Sequence, residues 1–347
     1  MILKKFLKRD KTYLYVSALF IISFFINQYY AFIGVLPVDS FSTFNAGYNI
    51  LNGSYPYKDF WSIKGTTLDF IQAMYFKVFG VSWKSYAAHA SSFNSLFALS
   101  FFYTIKKFNL DNKYSFFYSA LASILMYPTY GIPFTDHHVS IFSILSIFSL
   151  CLAIKTDKNI YWFFIPILLF LGFFTKQTPV GYVGILIFII SILYFIKNFR
   201  INILFIVIFS TLICLISLFL IIYFCKIPID FILVQYFLFP ISLGETRLDW
   251  LLPLEFQRFV LRHKLLYIAL SIPIFLLVKR LFKNLNSILK SENLIFLLLI
   301  GTLLIFVTHQ LMTINGLFIF FLIPVFAAFS HVNLNSFKKK KFLLISF

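Results

Sequence analysis

Charge is what this sequence has least of. Only 12% of its 347 residues are charged, about half the share found in an average soluble domain, while 61% are hydrophobic. That balance excludes a soluble enzyme or binding domain and identifies an integral membrane protein. Acidic residues are the rarest of the charged ones, 12 Asp and Glu against 30 Lys and Arg, for a net charge of +18. In a soluble chain that excess would point to nucleic acid. Here the basic residues must first be divided between the two sides of a membrane, which leaves nucleic acid a poor reading. Cysteine is scarce too: Cys151, Cys214 and Cys225 lie in or beside apolar segments with no C-x-x-C or metal-ligand spacing, and read as small core residues. Internal repeats, low-complexity linkers and soluble domains are lacking, so residues 1–347 read as one transmembrane domain.

What the chain does have is long apolar runs. Ten segments are candidates for crossing a bilayer: 12–34, 91–105, 114–129, 138–154, 160–174, 179–196, 201–224, 264–278, 293–308 and 316–332. The first is longer than the apolar stretch of a signal peptide and lacks a small-residue cleavage site, so it is expected to be a retained span. The expected fold is an all-α polytopic membrane protein of about ten transmembrane helices. With the N-terminus in the cytoplasm, twenty of the 30 basic residues fall inside, in 4–11, 106–113, 155–158, 197–200, 279–290 and 338–341, as the positive-inside rule requires. Lys338 to Lys341 read as a topology anchor at the inner leaflet. Eight of the 12 acids, Asp39, Asp59, Asp69, Asp136, Asp230, Glu245, Asp249 and Glu255, then lie outside. Long external segments, 35–90 and 225–263, contrast with short cytoplasmic ones and place the working face outside the cytoplasm. Within 35–90, Asp39 or Ser40 can cap a short helix that Gly53 ends. Over 66–79, Leu68, Ile71, Met74, Tyr75, Val78 and Phe79 form a stripe, with Asp69, Gln72 and Lys77 off it, as in a helix lying at the membrane surface.

The stretch "DSFSTFNAGYNILNGSYPYKDF", followed by an amphipathic segment ending "VFGVSW", resembles the first external loop of the GT-C membrane glycosyltransferases, particularly the protein O-mannosyltransferase and aminoarabinose-transferase type. Asp39 and the Gly53, Tyr55, Pro56, Tyr57 turn stand at matching places, and the likeness extends over residues 1–180. "TKQT", around Lys176, resembles a segment of bacterial GT-C-like proteins. The family's adjacent acidic pair is not kept, since Ser40 follows Asp39. The resemblance implies a sugar transferase with Asp39 in the catalytic position and a second external acid, Asp136, lining the same cavity.

Chemistry supplies its own reasons. Transfer of a sugar from a lipid-linked phosphate needs a carboxylate to accept the acceptor's proton and cations to hold the departing phosphate. Asp39 is the expected base, and helix capping is its structural alternative. Asp136 in "GIPFTDHH" is the second carboxylate. With His137 and His138 it could hold a divalent metal, although capping by Thr135 or Asp136 beside interfacial histidines is the stronger reading. Lys176 lies between apolar segments, where an ammonium must snorkel or meet an anion. Arg247, Arg258 and Arg262 are candidates for gripping phosphate, with Glu255 placed to pair with Arg258 and Arg262 along a helix. Tyr57, Asp59 and His137 complete the expected substrate site, while His309 and Asn315 read as packing residues. The expected function is an inverting glycosyltransferase of a bacterial plasma membrane, both termini cytoplasmic. It would use a polyprenyl-phosphate sugar donor, a lipid, glycan or protein acceptor, and no soluble cofactor. The alternative is a transporter or flippase of a lipid-linked glycan, which charged residues inside spans would favour.

Overall fold

The structure is a computed structural model that describes residues 12–35, 39–127, 131–251, 255–313 and 319–345, leaving the side chains of 39–40, 245–246, 248, 250–251 and 335–345 outside the description. Among the described residues it is all helical, with no strand. The α-helices are α1 (Thr12–Ile33), α2 (Asp39–Leu51), α3 (Thr67–Phe79), α4 (Trp83–Lys107), α5 (Asn112–Met126), α6 (Thr135–Thr156), α7 (Asn159–Phe173), α8 (Val180–Asn198), α9 (Ile201–Cys225), α10 (Ile229–Ile232), α11 (Phe239–Leu251), α12 (Lys264–Lys283), α13 (Ser291–Thr313) and α14 (Leu322–Ile345).

Each expected span overlaps a helix among the described residues, with 128–129 and 316–318 of two of them lying outside the description, and six helices, α1, α6, α8, α9, α12 and α13, are long and apolar enough to cross a membrane. The others differ for physical reasons. Helices α5 and α7 have 15 residues each, short of the roughly 20 a bilayer needs. Helix α4 has the length but spends its polar residues inward. Asn94 Nδ2 donates to Ser23 O at 3.0 Å and Ser123 O at 3.1 Å, and Ser23 Oγ donates to Ser95 Oγ at 3.0 Å. Interhelical hydrogen bonds of this kind join α1, α4 and α5 where packing of apolar surface alone would not discriminate among partners.

Helix α6 runs through the middle of the bundle, buried on all sides from Asp136 to Ile154, as expected for a helix apolar around its whole circumference. It packs against α4, α7, α8 and α13 around Phe97, Phe101, Phe148 and Phe306. Helix α9 is the opposite case, with Phe205, Phe209, Leu215, Phe219 and Phe224 exposed, a face suited to hydrocarbon.

The 35–90 segment forms two packed helices, α2 and α3, joined by a turn-rich connection, as expected. Its apolar stripe is exposed at Met74, Val78 and Phe79, while Asp69 and Gln72 are fully buried. The helix therefore buries a mixed face, Asp69 and Gln72 with Leu68, Ala73 and Phe76, and leaves Lys77 exposed beside the outward apolar residues. Gly131 presses the turn before α6 onto the end of α1. It has φ +60°, and a Cβ there would lie 2.2 Å from Ala31 N, so the start of α6 is held by a close backbone approach that only glycine permits.

The 225–263 segment is not an open loop. Its described residues carry α10, a π-helical stretch over Leu233–Leu238, α11 and a second π-helical turn over Gln257–Leu261. Glu255 thus precedes this widened turn, Arg258 lies on it and Arg262 follows it.

Candidate functional site

At one end of the bundle the start of α6, the turn after α7, the end of α13 and the first loop meet. Asp136, second residue of α6, forms an ion pair through Oδ1 with Lys176 Nζ. His309 Nε2, one turn from the end of α13, approaches the same oxygen at 3.4 Å. The carboxylate and imidazole are almost wholly buried, with side chains 7% and 6% exposed, whereas Lys176 is 23% exposed. The ammonium is therefore backed by a buried anion and open on its other side. Lys176 has three N–H donors, so pairing with Asp136 leaves donors for a ligand. Arg247, half-buried on α11, lies within electrostatic reach of His309.

A second pair lies beside the first. Lys64 Nζ is 3.0 Å from Asp69 Oδ1 and donates to Thr43 Oγ1 at 2.9 Å, tying α2, α3 and their connection together. Backbone bonds from Gly65 N to Thr175 O at 3.1 Å and from Thr67 N to Phe174 O at 2.9 Å clamp this connection to the turn carrying Lys176. Gly65 makes that approach possible, since a Cβ there would lie 1.9 Å from Phe174 O. Burial holds the Asp69 carboxyl above its ordinary value of 3.8, with Lys64 opposing the shift. Among the described residues its Oδ2 meets no hydrogen-bond donor.

An acid whose folded pKa is raised favours folding while protonated. Its contribution is complete below 3.8 and is lost as pH rises through the higher folded value. Asp69→Asn, neutral at every pH, is therefore expected to flatten the loss of thermal stability upward from about pH 4. Thermal unfolding in detergent across that range measures it, and an unaltered slope would assign the loss to another group.

The remaining expected residues divide clearly. Asp39 is the first residue of α2, one turn before Thr43, and its side chain lies outside the described residues. Asn315 also lies outside them. His137 and His138 are buried beside Asp136 but do not join it in a metal site. Among the described residues no three His, Cys, Asp or Glu groups are placed to hold a metal ion. Consecutive helical residues point about 100° apart: Asp136 turns to Lys176, His137 packs on Tyr127 with ring centroids 4.3 Å apart, and His138 Nδ1 lies 3.1 Å from both Phe134 O and Tyr127 Oη. Nor does Thr135 or Asp136 cap the helix; Phe134 holds that position, without a side-chain bond. Arg258 and Arg262 precede His263, in and after the second π-helical turn. Tyr57 is buried under the first loop, its hydroxyl donating to Lys64 O at 2.9 Å, and Asp59 stands in an adjacent cavity.

Three residues of this cluster escaped sequence reasoning: Lys64, Asp69 in its buried role, and His309, which had read as packing. The usable signal was the α3 stripe itself. If Met74, Val78 and Phe79 face outward, a carboxylate on the opposite side must enter the protein and find a cation, and Lys64 is the nearest in sequence.

Comparison of the chain with protein-family models, with curated proteins and with solved structures returns no match.

Proposed function

We propose that the chain is an inverting glycosyltransferase that takes a sugar from a polyprenyl-phosphate carrier and attaches it to a lipid, glycan or protein acceptor on the non-cytoplasmic face of a plasma membrane. The observation that carries this reading is Lys176, an ammonium anchored by the buried Asp136 and His309 yet partly exposed at the end of a membrane bundle. An amphiphilic phosphate arriving from lipid would meet donors there without either side chain having to reorganise. The GT-C likeness of the first loop supports the same reading. So does Lys64, a second partly exposed ammonium clamped beside Lys176 through the Gly65 and Thr175 backbone.

In this reading Asp39 takes the proton of the acceptor group as it attacks the anomeric carbon. The bond from that carbon to the phosphate oxygen breaks, and its electron pair leaves with the phosphate. Lys176, with Lys64 and Arg247, stabilises the growing negative charge. Asp136 acts by holding Lys176 and His309, since its Oδ1 is already committed to both. In the same reading the shorter apolar segments cross as well, their ends covered by protein rather than lipid, and both termini are cytoplasmic.

Purified protein in detergent, given a labelled polyprenyl-phosphate sugar and acceptor, should transfer the label, and Lys176→Met should lower the rate by about 10²–10³-fold. Movement of the lipid-linked sugar across a vesicle without chemical change would establish a transporter instead. Full transfer by Lys176→Met would remove the proposed phosphate grip.

A further inference from the structure

Between the 57–61 turn and the 231–235 segment lies a cavity of about 420 Å³, within the size range of small-molecule sites. Its walls combine exposed rings of Trp61 and Phe231 with an ammonium, a carboxylate and an amide, those of Lys58, Asp59 and Gln235. We propose that this cavity is a saccharide subsite that seats a pyranose ring on Trp61.

The lining discriminates among ligand classes. Sugar hydroxyls both donate and accept, and the Lys58 ammonium and Asp59 carboxylate offer the two roles, while the C–H face of a pyranose packs on aromatic carbon. A phosphate would be opposed by Asp59, and the positive charge of Lys58 is offset by that carboxylate 3.9 Å away. Asp59 uses one oxygen locally, accepting from Tyr55 N at 2.8 Å, which leaves the other for a ligand. Gln235 is held in place from both ends, accepting from Ser62 N at 2.9 Å and donating to Tyr57 O at 2.8 Å.

The turn is built to hold this shape. Tyr57 has φ +67°, a left-handed conformation rare for a bulky residue. Burial of its ring and bonds from Tyr57 N to Phe60 O at 3.0 Å and Asp59 N to Tyr55 O at 2.8 Å keep it there. Trp61 is nevertheless 59% exposed, meeting Phe239 edge-on with centroids 5.7 Å apart. A rigid turn that presents an indole outward has already met much of the ordering cost of binding. The site also lies close to the ammonium cluster: Tyr236, next to Gln235, accepts through its carbonyl from Gln177, next to Lys176. The proposal rests on the sugar-transfer reading and gives its substrate a place to sit.

The test is saturation-transfer NMR on the full-length protein in nanodiscs, with methyl α-D-mannopyranoside and methyl β-D-glucopyranoside as probes. Saturation should reach the pyranose ring protons of at least one glycoside. Trp61→Ala should weaken binding at least about tenfold and Trp61→Phe by no more than about threefold, because the phenyl ring keeps an apolar face. Lys176→Met should leave glycoside binding unchanged while transfer falls, so loss of catalysis and loss of the subsite are separable. A wild-type protein that binds glycosides but transfers nothing would overturn the transferase reading and keep the subsite. Displacement by a polyprenyl-phosphate sugar would identify the donor sugar as the occupant, and persistence of the signal the acceptor sugar; either supports a saccharide site. Absence of saturation with both glycosides, indifference to Trp61→Ala, or displacement by inorganic phosphate would overturn it. In the first of these cases Trp61 would be only a membrane-interface anchor.

Discussion

Replacing Asp136 by alanine is expected to destabilise the purified protein by about 3 kcal/mol, at the lower end of the range for breaking a buried ion pair by removing one partner. The substitution leaves Lys176 and His309 facing an empty volume at the start of α6, in place of the Asp136 Oδ1 that both approach. The lower end applies because Lys176 is 23% exposed and can turn part of its ammonium to water. Removing both charges should be milder than the sum of the two single losses. The double variant Asp136→Ala with Lys176→Met is therefore expected to recover part of the stability lost, as coupled neighbours do in a double-mutant cycle. Unfolding in detergent by heat or denaturant measures all four corners. A change below about 1 kcal/mol for Asp136→Ala would place the pair in the class of exposed salt bridges.

Replacing Asp39 by asparagine is expected to lower sugar transfer by about 10²–10⁴-fold, the range for a general base, with little change in stability. Asparagine and aspartate serve about equally at a helix start, so the substitution keeps any capping role at the beginning of α2 and removes only the capacity to accept a proton. Helix α2 is also fixed elsewhere, through Thr43 Oγ1 to Lys64 and through its packing on α3. Label transfer and thermal unfolding on the same preparation separate the two roles. A fully active Asp39→Asn variant would take the base away from this position, and an inactive but unfolded one would make capping its main role.

These two aspartates show how unevenly a site can be read from a linear chain. Asp136 and Lys176 stood out singly because a charge beside apolar segments is costly unless it meets a counter-charge or water. Nothing local in the sequence joined them across a separation of 40 positions. His309 had the same standing as any polar residue near the end of an apolar run until the fold placed its Nε2 at Asp136. Asp69 was visible as a residue off the α3 stripe, but which side of that helix faced the protein depended on what covered it. The weaker metal reading of Asp136, His137 and His138 finds no such set among the described residues, because adjacent residues on a helix diverge and these three have different neighbours.

By itself the amino-acid sequence determined the membrane class, the helical positions and the segments in which acids gather between apolar runs, because transfer of apolar surface and of charge depends mainly on each segment's own composition. Only the tertiary structure decided which charges face one another: Lys176 with Asp136 and His309, Lys64 with Asp69 and Thr43. The cost of burying an ion is incurred where it lies in the chain, but the counter-ion that offsets it is chosen by which helix ends meet in space. In this protein close backbone approaches at Gly65 and Gly131 make that choice.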